Sequence, residues 1–235
     1  MNKTAYITGG SKGIGLGVAK AMLAKGMNVA ITGRNRESLN VAIEVLNKVG
    51  NGEILAIESD VRDYESEKNA IGQVLKKWGT LDVVIANAGV GKFASIEDMS
   101  LEDWNSVIDI NLTGVFHTVK ASIPSMKKSK GYIITIASLA GTNFFKKGSA
   151  YNASKFGLVG FTQAIMMDLR QYGVRVTTIM PGSVATYFNG HVPSNEDSWK
   201  IQPEDIGQMI VDLLKMNPRT LPSKIEIRPS IPPGK

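Results

Sequence analysis

The sequence predicts an α/β protein built as one doubly wound parallel sheet of about seven strands, with helices on both faces. Two observations lead there. Short Val/Ile-rich runs, apolar at consecutive positions, alternate along the chain with longer segments of helical period. Such runs suit strands buried on both faces, as in parallel sheets. In order, the strand-like runs are Thr4–Thr8, Asn28–Thr32, Glu53–Ser59, Leu81–Ala86, Gly131–Ala137, Arg175–Met180 and Lys224–Arg228. The helical segments between them are Gly13–Lys25, Arg36–Val49, Asp63–Trp78, Leu101–Lys128, Ser149–Tyr172 and Pro203–Lys215. The segment Ser183–Ile201, rich in Pro, Asn, Gly and Ser, reads as the main irregular excursion. The tail Pro229–Lys235 holds three prolines and a glycine, and is expected to be extended rather than helical.

At 235 residues the chain is expected to form one domain over 1–235. No apolar run reaches membrane-spanning length, and no basic region followed by an apolar stretch opens the chain, so neither a membrane span nor a secretory signal is expected. Cys is absent, which removes disulfides, thiolate catalysis and Cys-bound metal, and fits a reducing cytoplasm. The only two His residues, His117 and His191, are too far apart in sequence for a metal cage; both read as structural or surface residues, and no metal site is expected. The formal net charge of +6 raises nucleic acid as a partner. The cations are scattered, however, and the densest cluster, Lys127, Lys128 and Lys130, has no interleaved aromatics. It reads as a solvated helix end complementing the dipole, and no nucleic-acid partner is expected.

Thr8-Gly9-Gly10-Ser11-Lys12-Gly13-Ile14-Gly15 follows the first strand and opens the first helix. Glycines there permit a tight turn and close backbone approach, and a helix N-terminus favours a pyrophosphate. The spacing G-x-x-x-G-x-G is not the usual dinucleotide fingerprint and is a weak signal on its own. The end of the second strand is more telling. An NAD site calls for an acid there to bind the ribose, whereas this chain offers Gly33-Arg34-Asn35-Arg36. A small Gly33 leaves room for a 2′-phosphate, a forked guanidinium on Arg34 can meet it, and Lys12 can add a second cation.

Tyr151 and Lys155, spaced i and i+4, share one helical face, and Ser138 ends an apolar strand-like run. A phenol with a pKa of about 10 is a poor acid or base at neutral pH. An adjacent ammonium is expected to lower it, while a Ser hydroxyl holds the substrate oxygen. The trio suggests carbonyl/alcohol chemistry.

Taken together, these motifs resemble the short-chain dehydrogenase/reductase family, in the branch with compact subunits, over Thr4 to about Arg228. The turn Thr8-Gly9-x-x-x-Gly13-Ile14-Gly15 is similar to the family's cofactor turn. Asp60-Val61 resembles its adenine-contacting pair, and Asn87-Ala88-Gly89 the element bordering the cofactor. Asn111, Ser138, Tyr151 and Lys155 match four catalytic positions; Pro181-Gly182, Val184 and Thr186 resemble the segment lining the nicotinamide carboxamide. The resemblance implies a Rossmann-type fold and an oxidoreductase that moves a hydride between NADP(H) and a ketone, aldehyde or secondary alcohol. It gives Tyr151 the role of proton donor and acceptor. Lys155 would tune Tyr151 and bind the nicotinamide ribose, Ser138 would polarise the carbonyl, and Asn111 would hold a water linking Lys155 to solvent.

Two departures stand out. Ala86 replaces the first Asn of the usual Asn-Asn-Ala-Gly, and the carboxyl end lacks the Val-Asp-Gly-Gly ending of many 3-oxoacyl-carrier-protein reductases. The ending resembles sepiapterin-reductase-like and carbonyl-reductase members instead. A 3-oxoacyl-carrier-protein reductase docking an acidic carrier on Lys127, Lys128 and Lys130 is the second reading, and a non-catalytic NADP(H)-binding sensor the third. A sugar epimerase is disfavoured because too little chain follows Lys155. The substrate pocket is expected from Leu139, Phe144, Phe145, Tyr187 and Phe188 with the 183–201 segment, for an apolar or aromatic small molecule. Apolar residues on 101–128 (Val107, Ile110, Val115, Phe116, Val119) and on 149–172 (Leu158, Val159, Phe161, Ile165, Met166, Met167) predict a homodimer or homotetramer.

Overall fold

A computed structural model describes residues 2–232. Seven parallel strands form one sheet: β1 (Thr4–Ile7), β2 (Asn28–Gly33), β3 (Ile54–Glu58), β4 (Val83–Ala86), β5 (Tyr132–Ile136), β6 (Arg175–Pro181) and β7 (Lys224–Ile227), in the spatial order 3-2-1-4-5-6-7. The helices are α1 (Gly13–Leu23), α2 (Arg36–Leu46), α3 (Tyr64–Trp78), α4 (Leu101–Ile108), α5 (Gly114–Ser129), α6 (Ser149–Leu169) and α7 (Pro203–Lys215). Chain order reverses between β1 and β4, so the loops leaving the carboxyl ends of these strands diverge and leave a crevice.

Alternation along the strands divides the core into two layers. Ala5, Ile7 and Ile134 face α1 and α7 with Val18, Leu23, Ile206 and Ile210. Tyr6, Ile133 and Val84 face α3, α5 and α6 with Ile71, Val119 and Leu158. Burying each such aliphatic side chain contributes about 1.5–3 kcal/mol. β1, β4 and β5 are buried at every position, as their unbroken apolar runs require; β7, at one edge, alternates between exposed and half-buried.

Helix starts are set by local polar chemistry. Asn35, Asp63 and Ser100 cap α2, α3 and α4 by accepting the amides of Ser38, Glu65 and Asp103. α1 has no side-chain cap and no acid in its first turn.

The helix expected unbroken over 101–128 is divided by a π-helical turn at Asp109–Thr113. The extra residue in that turn carries Asn111 inward, where its amide pairs with the Val90 backbone. Of the eleven apolar residues expected to face a partner, Val107, Ile110, Val115, Val119 and Leu158 are buried in the chain's own core, and Val159, Phe161, Ile165 and Met166 are partly buried against it. Phe116 and Met167 are exposed, as is Phe156. Among the described residues no helix is long and apolar enough to cross a membrane. Of the tail, Pro229–Pro232 is non-helical with a bend at Ser230, and 233–235 lie outside the described residues.

Candidate active site

A cleft of about 1180 Å³ opens at the carboxyl ends of the strands. Its floor begins with the turn after β1. Asn87 donates its side-chain amide to the Thr8 and Gly9 carbonyls (2.9 and 3.2 Å), and Thr8 Oγ1 accepts the amides of Asn87 and Ala88 (3.0 and 3.1 Å). These bonds tie the loops after β1 and β4 together across the reversal of chain order. Gly9 sits at φ +64°, and a Cβ there would come within 3.0 Å of Ala88 Cα. Gly15 lies behind the turn rather than on the cleft, where a Cβ would meet the Gly9 oxygen at 2.4 Å. It acts by allowing close packing. With α1 uncapped, its first amides remain available to an anion beside Ser11, Lys12, Gly13 and Ile14, all of which line the cleft.

At the end of β2, Gly33, Arg34, Asn35 and Ser38 line the cleft. Arg34 makes no ion pair among the described residues. Asp60 and Val61 line the same end, with Ser59 and Arg62, which the sequence reading had not singled out. Arg62 Nε donates to both carboxyl oxygens of Asp60 (3.1 and 3.0 Å) and holds that acid below the usual carboxylate range. The Asp60 charge is thus paired chiefly by Arg62, while the Arg34 guanidinium close by has no ion-pair partner among the described residues.

At the other end stand Ser138, Tyr151 and Lys155, with Ala88, Gly89, Pro181, Gly182, Val184 and Thr186 around them. Ser138 follows β5, and its hydroxyl accepts the Ala140 amide (3.1 Å). The Lys155 ammonium is 5.6 Å from the centre of the Tyr151 ring and donates to the Ile136 carbonyl at 3.0 Å. The lowering of Tyr151 by Lys155 expected from their spacing is therefore not what this geometry produces. Burial pushes the phenol up to about 12, offset in part by the Ser138 hydroxyl, and pushes Lys155 down to about 8. Asn111 stands behind the cleft. It accepts the Val90 amide (2.8 Å) and donates to the Val90 carbonyl (2.9 Å) and Ser154 Oγ (3.1 Å), leaving one Oδ1 lone pair for a further donor.

The expected substrate wall needs correction. Tyr187 and Phe188 line the cleft, but Leu139, Phe144 and Phe145 do not. Leu139 packs beneath it against the core, and the two Phe side chains reach the surface. Phe93, missed from sequence, is 5.5 Å from the Tyr151 ring and 6.4 Å from Phe188, and Phe188 is 5.6 Å from Tyr151. A parallel bridge between Ala94 and Gly148 brings Phe93 to the start of α6. Its only signal was its place in the loop after β4, shortly beyond Asn87-Ala88-Gly89. His191 also lines the cleft: its Nε2 donates to Asp197 at 2.6 Å, and the Lys200 ammonium pairs with the same buried carboxylate.

The fold and cleft define a dinucleotide-binding α/β protein. Residues 3–197 match the short chain dehydrogenase family. The chain is 36% identical to trans-4-hydroxycyclohexanecarboxylate dehydrogenase of Sinomonas cyclohexanicum, over 90% of this chain and 85% of that protein. It is 33% identical to an uncharacterized oxidoreductase of Staphylococcus aureus strain MW2, over 97% of each. An alcohol dehydrogenase from the archaeon Thermococcus sibiricus, solved with 5-hydroxy-NADP, superposes with a TM-score of 0.93 at 28% identity, covering 100% of both chains. Actinorhodin polyketide ketoreductase with NADPH gives 0.88 at 26% identity, covering 97% of this chain and 96% of that one. The chain belongs to the short-chain dehydrogenase/reductase family, whose members are oxidoreductases that use a nicotinamide cofactor on small-molecule substrates.

Proposed function

We propose that the protein is an NADP(H)-dependent carbonyl reductase or alcohol dehydrogenase, with 1–235 acting as one dinucleotide-binding and catalytic domain and 183–201 as its substrate loop. The observation that carries this reading is one cleft holding Arg34 at the end of β2, with no ion-pair partner among the described residues, and, at its other end, Ser138 beyond β5 beside Tyr151 of α6. The residues fit the cofactor: a glycine cradle too tight for a Cβ at Gly9, an uncapped α1, and Arg34 with Lys12 for the 2′-phosphate. When bound, the nicotinamide supplies or accepts the hydride.

The chain's own residues do the rest. Ser138 donates to the substrate oxygen and orients it. Tyr151, protonated throughout the neutral range, delivers its proton to that oxygen as negative charge develops there. Lys155, with a pKa of about 8, would hold the nicotinamide ribose and keep a proton within reach of Tyr151, and the spare lone pair of Asn111 is open to a water behind it. Phe93 and Phe188 keep bulk water away from the phenol.

Tyr187 and Phe188 on the cleft wall, with Phe93 packed against Phe188 and Tyr151, favour a cyclic or aromatic substrate, in keeping with the cyclohexane ring in the name of the Sinomonas relative. The carrier-protein reading is weaker, because Lys127 lies 3.5 Å over the Tyr172 ring and Lys130 forms the left-handed cap of α5, so both serve the helix end. We further place the enzyme in the cytoplasm as a homodimer or homotetramer. The test is NADPH and NADH oxidation over cyclic ketones, including 4-oxocyclohexanecarboxylate, aldehydes, diketones, pterins and acetoacetyl thioesters. Reduction of a cyclic ketone with NADPH is the expected result; acetoacetyl thioester alone would favour the carrier-protein reading.

A further inference from the structure

A fully buried acid, Glu67 on α3, has no part in the chemistry above. Its Oε1 accepts from Tyr6 OH of β1 (3.1 Å) and from Ser59 Oγ after β3 (2.8 Å), and its Oε2 stands 2.8 Å from Thr118 Oγ1 of α5. Thr118 Oγ1 is also 3.0 Å from the Gly114 carbonyl. A hydroxyl has one proton, so Thr118 cannot serve both a carbonyl and a carboxylate. Placing a proton on Oε2 resolves the conflict: Glu67 donates to Thr118, which donates to Gly114. On the other side Ser66 Oγ accepts the Asp60 amide (3.2 Å) and lies 3.0 Å from Ser59 Oγ, so Ser66 donates to Ser59 and Ser59 to Glu67. Every proton then has one acceptor.

Among the described residues no cation hydrogen-bonds into the network. Arg62 is spent on Asp60, and the His117 ring turns its Nδ1 to the Val61 carbonyl at 3.0 Å. An ionised carboxylate here would be buried with only the His117 imidazole to offset its charge, and burial outweighs this and pushes Glu67 up. The network's outer members, Ser59 and Asp60, with Val61 next to them, line the cleft.

We propose that Glu67, as the neutral acid, is a positioning residue: through Ser59 and Ser66 it fixes the wall formed by Ser59, Asp60 and Val61, on which the adenosine half of the cofactor rests. This relies on the cofactor reading above. A fixed wall is in place before binding, so affinity is not lost to ordering it.

The test uses the full-length protein, with 2′,5′-ADP as the probe of the adenosine half and kcat at saturating NADPH as the probe of the reacting half. Glu67→Leu is expected to weaken 2′,5′-ADP and raise KM for NADPH about tenfold, with kcat within twofold. Glu67→Gln, whose amide donates to Thr118 and whose carbonyl accepts from Ser59 and Tyr6, is expected to restore both to within twofold. A Gln variant as weak as the Leu variant overturns the proposal, as does a Leu variant that binds like wild type or loses kcat in step with KM. If Glu67→Leu does not fold, Ser59→Ala cuts the same link, and unchanged 2′,5′-ADP binding by it overturns the proposal. Wild-type protein that binds neither NADPH nor NADH overturns the cofactor reading itself.

Discussion

The Lys155 ammonium is anchored on the Ile136 carbonyl, 3.0 Å away at the end of β5, and is almost fully buried there. Dehydration without a carboxylate partner explains why its pKa falls to about 8. The unfolded chain holds this proton up to the ordinary lysine value of 10.5, so between pH 8 and 10.5 it binds more protons than the folded chain. This group's contribution to stability therefore rises with pH across that window, by about 3 kcal/mol at most, and its burial cost is fully present below pH 8. Thermal unfolding of wild type and Lys155→Met without cofactor checks it. The Met variant is expected to be the more stable at pH 7, with the gap narrowing towards pH 10. A gap independent of pH would count against a charged, buried Lys155.

Tyr151→Phe removes the proton donor and leaves the ring among Phe93 and Phe188. The expected loss in kcat is on the order of a hundredfold or more, with NADPH affinity within threefold of wild type. Steady-state rates and fluorescence titration of NADPH measure the two. A phenol held near 12 is protonated at neutral pH and suited to reduction. Alcohol oxidation, which needs the phenolate, is expected to speed up from pH 7 to 10.

How far the sequence carried the reading is instructive at this end of the cleft. Unbroken apolar runs marked β1, β4 and β5, because strands buried on both faces leave a local signature, while the edge strand β7, half-buried at alternate positions, was legible from its Ile225/Ile227 alternation. The Tyr151–Lys155 spacing and Ser138 were legible for the same reason: one turn of helix and one strand end. The contacts of Phe93 with Tyr151 were not, since they come from a bridge between Ala94 and Gly148 on loops far apart in sequence. Nor was the ammonium's partner. Spacing says which face Lys155 shares with Tyr151, but which acceptor it meets depends on where β5 ends. The π-helical turn at Asp109–Thr113 is likewise invisible to periodicity, because one extra residue shifts the pattern by less than the width of an apolar face.

Arg34→Ala is expected to weaken NADPH ten- to a hundredfold and NADH less than threefold, since a charge-assisted hydrogen bond contributes about 1.5–3 kcal/mol. Titration of both reduced cofactors checks this. Equal losses for the two would place the guanidinium elsewhere than on a 2′-phosphate.

Phe116 on α5 stays exposed at 45%, with Phe161 of α6 6.3 Å away. Light scattering at micromolar concentration is expected to give two or four times the 25.3 kDa chain mass, and Phe116→Asp to shift it towards one. A wild-type mass of one chain with full turnover would rule this out.

The excursion after β6 is closed at its base and knotted at its centre. Ala185 and Ile201 share a 2.9 Å backbone hydrogen bond, and Ile201 returns its own amide to Ser183 at 3.1 Å. Asp197 gathers His191, Lys200 and the Ser194 amide within it. Its two ends thus lie side by side, one leaving β6 and the other entering α7, and the turn-by-turn shape is supplied from inside. Such a segment behaves as a cassette: its tip can be rewritten, or the whole piece exchanged with that of a relative, while the sheet beneath and the turn around Gly9 keep their geometry.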